Sequence, residues 1–101
     1  MERRERVIEA MKAQDIILDN AGQFDTTGIA VPLIAIFENP VDYPDKVVAR
    51  LYRCADPTNQ VILGTGGVGL MRFCIEKYIK GAVWTNRGAA DDPKLVGCYI
   101  L

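Results

Sequence analysis

The sequence predicts an α+β fold in which a small antiparallel sheet of about four strands packs against one main helix, with a further helix at the N-terminus. Several short segments carry apolar residues at every second position, and one later segment carries them at helical spacing. The predicted order of elements lacks the repeated β–α alternation of a doubly wound sheet. With 101 residues, the chain is expected to form a single domain over 1–101.

The first predicted element is a helix over residues 2–18, within an N-terminal helical region at 1–20. Val7, Met11 and Leu18 fall on one face, and acidic and basic residues alternate on the rest of the surface. The loop sequence "DNAGQFDTTG" is rich in residues that end helices. The sheet and its packing helix are therefore expected within 29–101.

Three strands are predicted in the first half of this core. The first covers 29–37, and Pro32 marks its entry, because proline donates no ladder hydrogen bond. The turn sequence "NPVDYPD" leads to the second strand, "KVVARLYR", where Arg50 and Leu51 face opposite sides. The turn sequence "CADPTNQ" then leads to a short apolar strand, "VILG".

The main helix is predicted over 67–80. Met71, Ile75 and Tyr78 form its apolar stripe, and Gly81 is a suitable C-terminal stop. The segment "AVWT" has the character of a short strand, "NRGAADDP" that of a loop, and "KLVGCYIL" that of the final strand.

Composition argues against several function classes. Twelve basic residues oppose thirteen acidic ones, so the basic excess of a nucleic-acid polymer binder is absent. The sequence contains no histidine, the commonest general base, and no paired-carboxylate or nucleophile motif, so neither an enzyme nor a cofactor is predicted. A zinc site would need all three cysteines, which are instead expected as free thiols in a reducing cytosol. The start lacks a signal-peptide core, and the longest apolar run, nine residues, cannot span a bilayer.

A glycine motif in "VILGTGGVGL" has the spacing of a dinucleotide-binding fingerprint, Gly64-x-Gly66-x-x-Gly69. A strand precedes it and a helix follows it, but too little chain remains for the repeated βα units of a Rossmann fold. Two interpretations stay open. The glycines form a sharp strand-to-helix corner, or the backbone N–H groups at Gly66 and Gly67 bind an anion at the start of the helix.

Other residues are candidates for the cation, the aromatic ring and the polar groups that a nucleotide site needs. Arg50 is either a surface arginine paired with a carboxylate such as Glu38 or a guanidinium fork for phosphate. Phe73, off the main apolar stripe, either covers a base or lies at a subunit contact. The stretch "WTNRG" combines an aromatic ring, two hydrogen-bonding side chains and a cation, in Trp84, Thr85, Asn86 and Arg87. Trp84 is equally suited to a place in the hydrophobic core.

The turn and strand "NPVDYPDKVVARL" resemble a signature of small proteins from bacterial viruses and their hosts. A later "DDP" and a final apolar strand, "KLVGCYIL", continue the likeness, which covers residues 33 to 101. On these residues the chain resembles the first Thoeris anti-defence family. Members of that family are viral proteins that sequester cyclic ADP-ribose-type signals made by bacterial TIR enzymes.

The resemblance implies that the protein binds the signalling nucleotide without hydrolysing it, in the cytoplasm of an infected bacterium. It also implies a homo-oligomer, namely a hexamer. Some members also hold cyclic trinucleotides at separate sites. It further implies arginine contacts at Arg50 and Arg87 and aromatic, asparagine and threonine contacts near Phe73 and Asn86. The alternative function class is a protein-binding inhibitor, such as an anti-CRISPR protein, which would expose a large acidic or apolar patch.

Overall fold

A computed structural model describes residues 14–88 and 92–101. In chain order the elements are β1 (Ile16–Ile17), a short 3-10 helix (Ala21–Gln23), β2 (Pro32–Glu38), β3 (Val47–Arg53), β4 (Asp56–Gly64), α1 (Val68–Tyr78), β5 (Val83–Asn86) and β6 (Leu95–Ile100).

The described strands form one mixed sheet of six strands in the order β1-β4-β3-β2-β6-β5. Neighbouring strands are antiparallel except β1 and β4, which run parallel. The α+β class is therefore confirmed, with α1 as the main helix. The expected sheet of about four antiparallel strands is too small, because β1 and β5 extend it at its two edges.

The predicted N-terminal helix does not reach residue 18. Its residues up to 13 lie outside the described part of the chain. Ile16 and Ile17 pair with Gln60 and Val61 of β4, and the N–H of Leu18 donates to the carbonyl of Val61 at 2.8 Å. Two consecutive β-branched residues favour a strand, and pairing with β4 outweighs the helical spacing of the apolar residues in this segment.

Strand β4 is longer than the predicted "VILG", because the turn before it is confined to Cys54 and Ala55. Pro57 lies within the strand, where β1 does not pair and where the register with β3 shifts between Arg50 and Tyr52. Proline is tolerated at sheet edges and bulges, since no ladder donor is required there.

One face of the sheet carries the main core under α1. Met71 and Ile75 are buried on the helix, as the apolar stripe predicts, whereas Tyr78 is 47% exposed. The sheet contributes every second residue of its central strands to this core. These buried residues are Ile34, Ile36, Val47, Ala49, Leu51, Ile62 and Tyr99.

The opposite face has a smaller apolar cluster of Tyr43, Val48 and Val61, with Phe37 and Leu63 against it. Arg50 lies on this second face, because Ala49 and Leu51 on either side of it belong to the core under α1. The alternation of side chains along β3 thus separates an apolar face from a face that holds a buried charge.

Strand β6 passes unusually close to β5 at Gly97. A Cβ atom at this position would lie 2.5 Å from the carbonyl oxygen of Thr85 and 2.5 Å from the indole of Trp84. The absence of a side chain at Gly97 therefore lets the Trp84 ring lie across β6, where it meets Tyr99 edge-to-face at a centroid distance of 5.0 Å.

We expect Gly97→Ala to destabilise the protein by about 1–3 kcal/mol, because the new methyl group overpacks backbone and ring atoms that have little room to move. In a domain of this size that corresponds to a fall in melting temperature of roughly 4–8 °C per kcal/mol. Gly69→Ala is the matched control, since a Cβ there meets nothing within 4 Å. Equal melting temperatures for Gly97→Ala and the wild type would contradict the close approach.

Candidate functional site

The directions of the strands bring four chain segments to one end of the sheet. Strands β3 and β6 both start at this end, because each is antiparallel to β2, and β2 and β4 both finish there. Backbone hydrogen bonds join the segments: the N–H of Glu38 donates to the carbonyl of Lys94 at 2.9 Å, and that of Asn39 to the carbonyl of Lys46 at 2.8 Å. The two lysines, each just before its strand, therefore flank the end of β2.

A cleft of about 560 Å³ opens at this end of the sheet. We call it the lysine cleft. Its lining combines the start of β3, the end of β4, the corner before α1 and the turn before β6. The residues are Glu38, Asn39, Asp45, Lys46, Val47, Gly64, Thr65, Gly67, Pro93, Lys94 and Val96.

The helix α1 begins at the lysine cleft without a side-chain cap. Its N-cap is Gly67, at φ 92°, and the first turn contains no acidic residue. The first intrahelical bond runs from the N–H of Met71 to the carbonyl of Gly67, so the N–H groups of Val68, Gly69 and Leu70 have no intrahelical acceptor. Such groups, together with the helix dipole, favour negative charge at a helix start.

Two turns fix the backbones that carry the lysines. Asn39, at φ 52°, accepts the N–H of Asp45 on its side-chain oxygen at 2.8 Å and closes the turn before Lys46. Asp92 accepts the N–H of Lys94 on its side chain at 2.8 Å, which is an Asx-type turn. Asn39 and Asp92, which lie in the predicted turns, therefore fix the backbone on which the cleft is built.

The charges in the lysine cleft are mixed. Neither Lys46 nor Lys94 forms an ion pair among the residues that the structure describes, and Glu38 and Asp45 line the same space. Cations and helix N–H groups bind phosphate oxygens, and carboxylates accept hydrogen bonds from hydroxyl groups. This set of donors and acceptors suits a ligand that carries both phosphate and sugar hydroxyls.

Arg50 is 6% exposed and paired within the protein. Its Nη1 and Nη2 donate to the two carboxylate oxygens of Asp15 at 2.8 and 2.9 Å, and Nη1 also donates to the carbonyl of Thr58 at 2.8 Å. Asp42 lies 3.5 Å from Nη2. The partner is therefore Asp15 rather than Glu38, and a phosphate at this guanidinium would have to displace a bidentate carboxylate.

The environment of Asp15 favours its ionised form. Burial raises the pKa of this carboxyl, but hydrogen bonds from Arg50 and Tyr43 and the guanidinium charge outweigh burial and hold the pKa below 3.8. Burial and the hydrogen bond to Asp15 raise the pKa of Tyr43 to about 12, so its hydroxyl stays protonated and donates to Asp15 at 2.7 Å. The cluster is an internally satisfied ion pair.

Trp84 is half-buried and packs against the core under α1. Its Nε1 donates to the side-chain oxygen of Asn86 at 2.9 Å, so these two predicted site residues are in contact. The guanidinium of Arg72 lies 4.0 Å from the centre of the Trp84 ring. A base that stacks on that side of the ring would have to replace Arg72.

The other predicted site residues are separated from one another. Gly66 and Gly67 lie in the corner before α1, and Phe73 is 66% exposed on that helix. Thr85 lies on the face of Arg50 but three strands away, and its hydroxyl contacts the Cys98 carbonyl at 3.2 Å. Arg87 is exposed just beyond β5, and no ion pair of Arg87 occurs among the described residues.

The glycine corner does not belong to a parallel βαβ unit. Strand β4, which ends at Gly64, pairs antiparallel with β3, and the strand that follows α1 pairs with β6. Sequence reasoning missed Lys46 and Lys94 as site residues. The sequence does contain a pattern that marks both lysines, since each follows a proline-containing turn and precedes a strand. Antiparallel pairing of both strands with β2 brings their starts to the same end of the sheet.

No protein-family model, curated protein or solved structure matches this chain. Over residues 14–88 and 92–101 no helix is long and apolar enough to cross a membrane. In the same part of the chain, no three metal-ligating side chains are grouped as a metal site requires. Cys54, Cys74 and Cys98 are free.

We expect Arg50→Ala to destabilise the protein by about 3–5 kcal/mol, because it leaves the carboxylate of Asp15 buried without its partner. Asp15→Ala should cost a similar amount, and the double variant should cost less than the sum of the two. Urea unfolding measures all three free energies. The matched control is Arg53→Ala, an exposed arginine on the same strand. Additive effects of the two substitutions would contradict the ion pair.

Acid should remove the contribution of this pair. Because the folded-state pKa of Asp15 is lowered, its stabilising effect is complete above the unfolded value of 3.8 and is lost as the pH falls through the folded value. The difference in unfolding free energy between wild type and Asp15→Asn should therefore shrink from about pH 5 to about pH 2. A difference that is constant over that range would show that the pKa of Asp15 is not lowered.

Proposed function

We propose that this protein binds a phosphate-bearing nucleotide of the cyclic ADP-ribose type at the lysine cleft and sequesters it without cleavage. The observation that carries the proposal is the coincidence of an uncapped helix start with two lysines that lack ion-pair partners among the described residues. Phosphate groups of the ligand occupy the space between Lys46, Lys94 and the first-turn N–H groups of α1.

The composition of the cleft favours a nucleotide over a simple inorganic anion. A purely anionic ligand would be repelled by Glu38 and Asp45, which line the same space as the lysines. A cyclic ADP-ribose-type ligand carries ribose hydroxyls beside its pyrophosphate, and these hydroxyls donate to carboxylates. Thr65, in the corner before α1, adds a hydroxyl that both donates and accepts.

We propose sequestration rather than turnover. The lysine cleft holds no cysteine and no tyrosine, and the chain has no histidine. Together with the resemblance to the first Thoeris anti-defence family, this supports a viral protein that removes an immune signal in the cytoplasm of its bacterial host.

The roles of Arg50, Phe73, Thr85, Asn86 and Arg87 in binding are proposals that rest on the resemblance, as do the hexamer and separate sites for cyclic trinucleotides. The role of Trp84 is a proposal that rests on the residue types in "WTNRG". Among these residues Arg87 is best placed to supply a further cation, since it is exposed. A native mass spectrum of protein purified from cells that make the signal tests the assembly state and detects any intact nucleotide.

A second candidate function is protein binding, as in an anti-CRISPR inhibitor. The observation that favours it is the exposure of large apolar side chains on α1 and the edge strand β5, where Leu70 is 54%, Phe73 66% and Val83 58% exposed. Exposed apolar patches are typical of protein interaction sites. The two functions differ in what substitution of these side chains does to nucleotide affinity.

We expect Lys46→Ala and Lys94→Ala each to weaken binding of cyclic ADP-ribose by about tenfold, because each removes one charge-assisted contact to phosphate. Titration calorimetry measures the affinities. The matched control is Lys80→Ala, an exposed lysine just beyond α1 that does not line the lysine cleft. Val83→Ser tests the exposed apolar surface in the same assay, since Val83 lies on the edge strand β5 and does not line the lysine cleft.

Wild-type protein that takes up no cyclic nucleotide, or variants of both lysines with unchanged affinity, would contradict the proposed site. Unchanged affinity in Lys80→Ala and Val83→Ser, with the loss confined to Lys46 and Lys94, supports it. Absence of nucleotide binding together with inhibition of a CRISPR effector that Val83→Ser abolishes would support the protein-binding alternative.

A further inference from the structure

Arg72 is held in a fixed position on the solvent side of α1. Its guanidinium carbon lies 4.0 Å from the centre of the Trp84 ring and 5.9 Å from that of Tyr99. Its Nε donates to the hydroxyl of Tyr99 at 3.1 Å. Stacking of a guanidinium on tryptophan is favourable, so one aromatic ring and one hydrogen bond fix this side chain without using its two terminal nitrogens.

The nearest carboxylate does not occupy those nitrogens. Glu76 lies 4.0 Å from Nε of Arg72, and its Oε2 instead accepts a hydrogen bond from the hydroxyl of Tyr99 at 2.7 Å. An exposed pair at such a distance contributes little. Nη1 and Nη2 of Arg72 form no hydrogen bond with any described residue, and the side chain is 36% exposed.

Arg72 lines a shallow groove of about 360 Å³ together with Gly69, Phe73 and Glu76. We call it the α1 groove. Gly69 provides no side chain that would fill it, and Phe73 presents a ring that is 66% exposed. A pair of parallel N–H donors matches two oxygens of a phosphate, and an exposed ring beside it offers a stacking surface for a base.

We propose that Arg72 is an anion-binding residue that holds a phosphate monoester on Nη1 and Nη2, with the attached nucleobase against Phe73. The inference goes beyond the lysine cleft, since it uses none of the residues that line that cleft. It rests on the proposed function in taking the ligand to be a nucleotide and in using Phe73 as a base contact; the role of Arg72 is new. Trp84 and Tyr99 are positioning residues, which act on the ligand through the guanidinium that they fix.

The probe for this proposal is adenosine 5′-monophosphate, with inorganic phosphate as the second arm. Trp84 is the only tryptophan of the chain and contacts Arg72, so its fluorescence reports on the site directly. We expect a saturable change in emission and a shift of the Arg72 Nε–H resonance in wild-type protein. Inorganic phosphate should give the same change with weaker affinity, because it lacks the base.

Arg72→Ala should abolish the fluorescence response, and Arg72→Lys should weaken binding by about tenfold, because lysine keeps the charge but loses the bidentate fork. Phe73→Ala should reduce the affinity for the nucleotide but not for inorganic phosphate. Lys77→Ala, on the same helix but outside the α1 groove, is the matched control and should leave both affinities unchanged.

Three results would overturn the proposal. The first is the absence of a saturable response in wild-type protein up to about 10 mM nucleotide, a measurement that needs no variant to fold. The second is an unchanged response in Arg72→Ala. The third is loss of the response in the Lys46→Ala/Lys94→Ala double variant, which would place the nucleotide in the lysine cleft. That third result would leave the proposed function standing while refuting the role of Arg72.

Discussion

A buried guanidinium that must be paired determines how the second face of the sheet is built. Arg50 stands in the middle of β3, and an unpaired charge at that depth would be costly. Asp15 supplies the bidentate partner from just before β1, and Tyr43 donates to the same carboxylate. The pair thereby positions β1 beside β4 and the turn after β2 against the sheet, and the two cations of the lysine cleft lie elsewhere in the molecule.

Those cations lie where the antiparallel topology brings strand ends together. Lys46 and Lys94 precede strands that start at the same end of the sheet, and α1 starts there because β4 finishes there. The Asn39 and Asp92 turns hold the backbone of this end in place. The glycine corner thus contributes to the lysine cleft through an uncapped helix start, although it is not part of a Rossmann fold.

The elements that local sequence determines were predicted well, and those that depend on distant partners were not. The alternation of side chains predicts β3, and the apolar stripe containing Met71 and Ile75 predicts α1, because both patterns involve only residues close together in the sequence. Ile16 and Ile17 become a strand only because β4 is available to pair with them. Arg50 finds its partner 35 residues away, a distance over which sequence spacing carries no information about contact.

The candidate site shows the same division. Gly66 and Gly67 were predicted at a helix start because the glycine motif is local, whereas Lys46 and Lys94 join them only through the order of strands in the sheet. Arg72 follows the same rule, since Trp84 and Tyr99, which fix it, come from two strands beyond the helix. The helix by itself offers Arg72 only Glu76, four residues on, which lies 4.0 Å from its Nε.

The central claim is that a phosphate-bearing nucleotide binds at the start of α1 between the two lysines. The most direct test maps amide chemical shifts of isotope-labelled protein during titration with cyclic ADP-ribose. We expect the largest shifts on the amides from Thr65 to Leu70 and on those of Lys46 and Lys94. Shifts centred on Arg50 and its neighbours, with the start of α1 unperturbed, would contradict it.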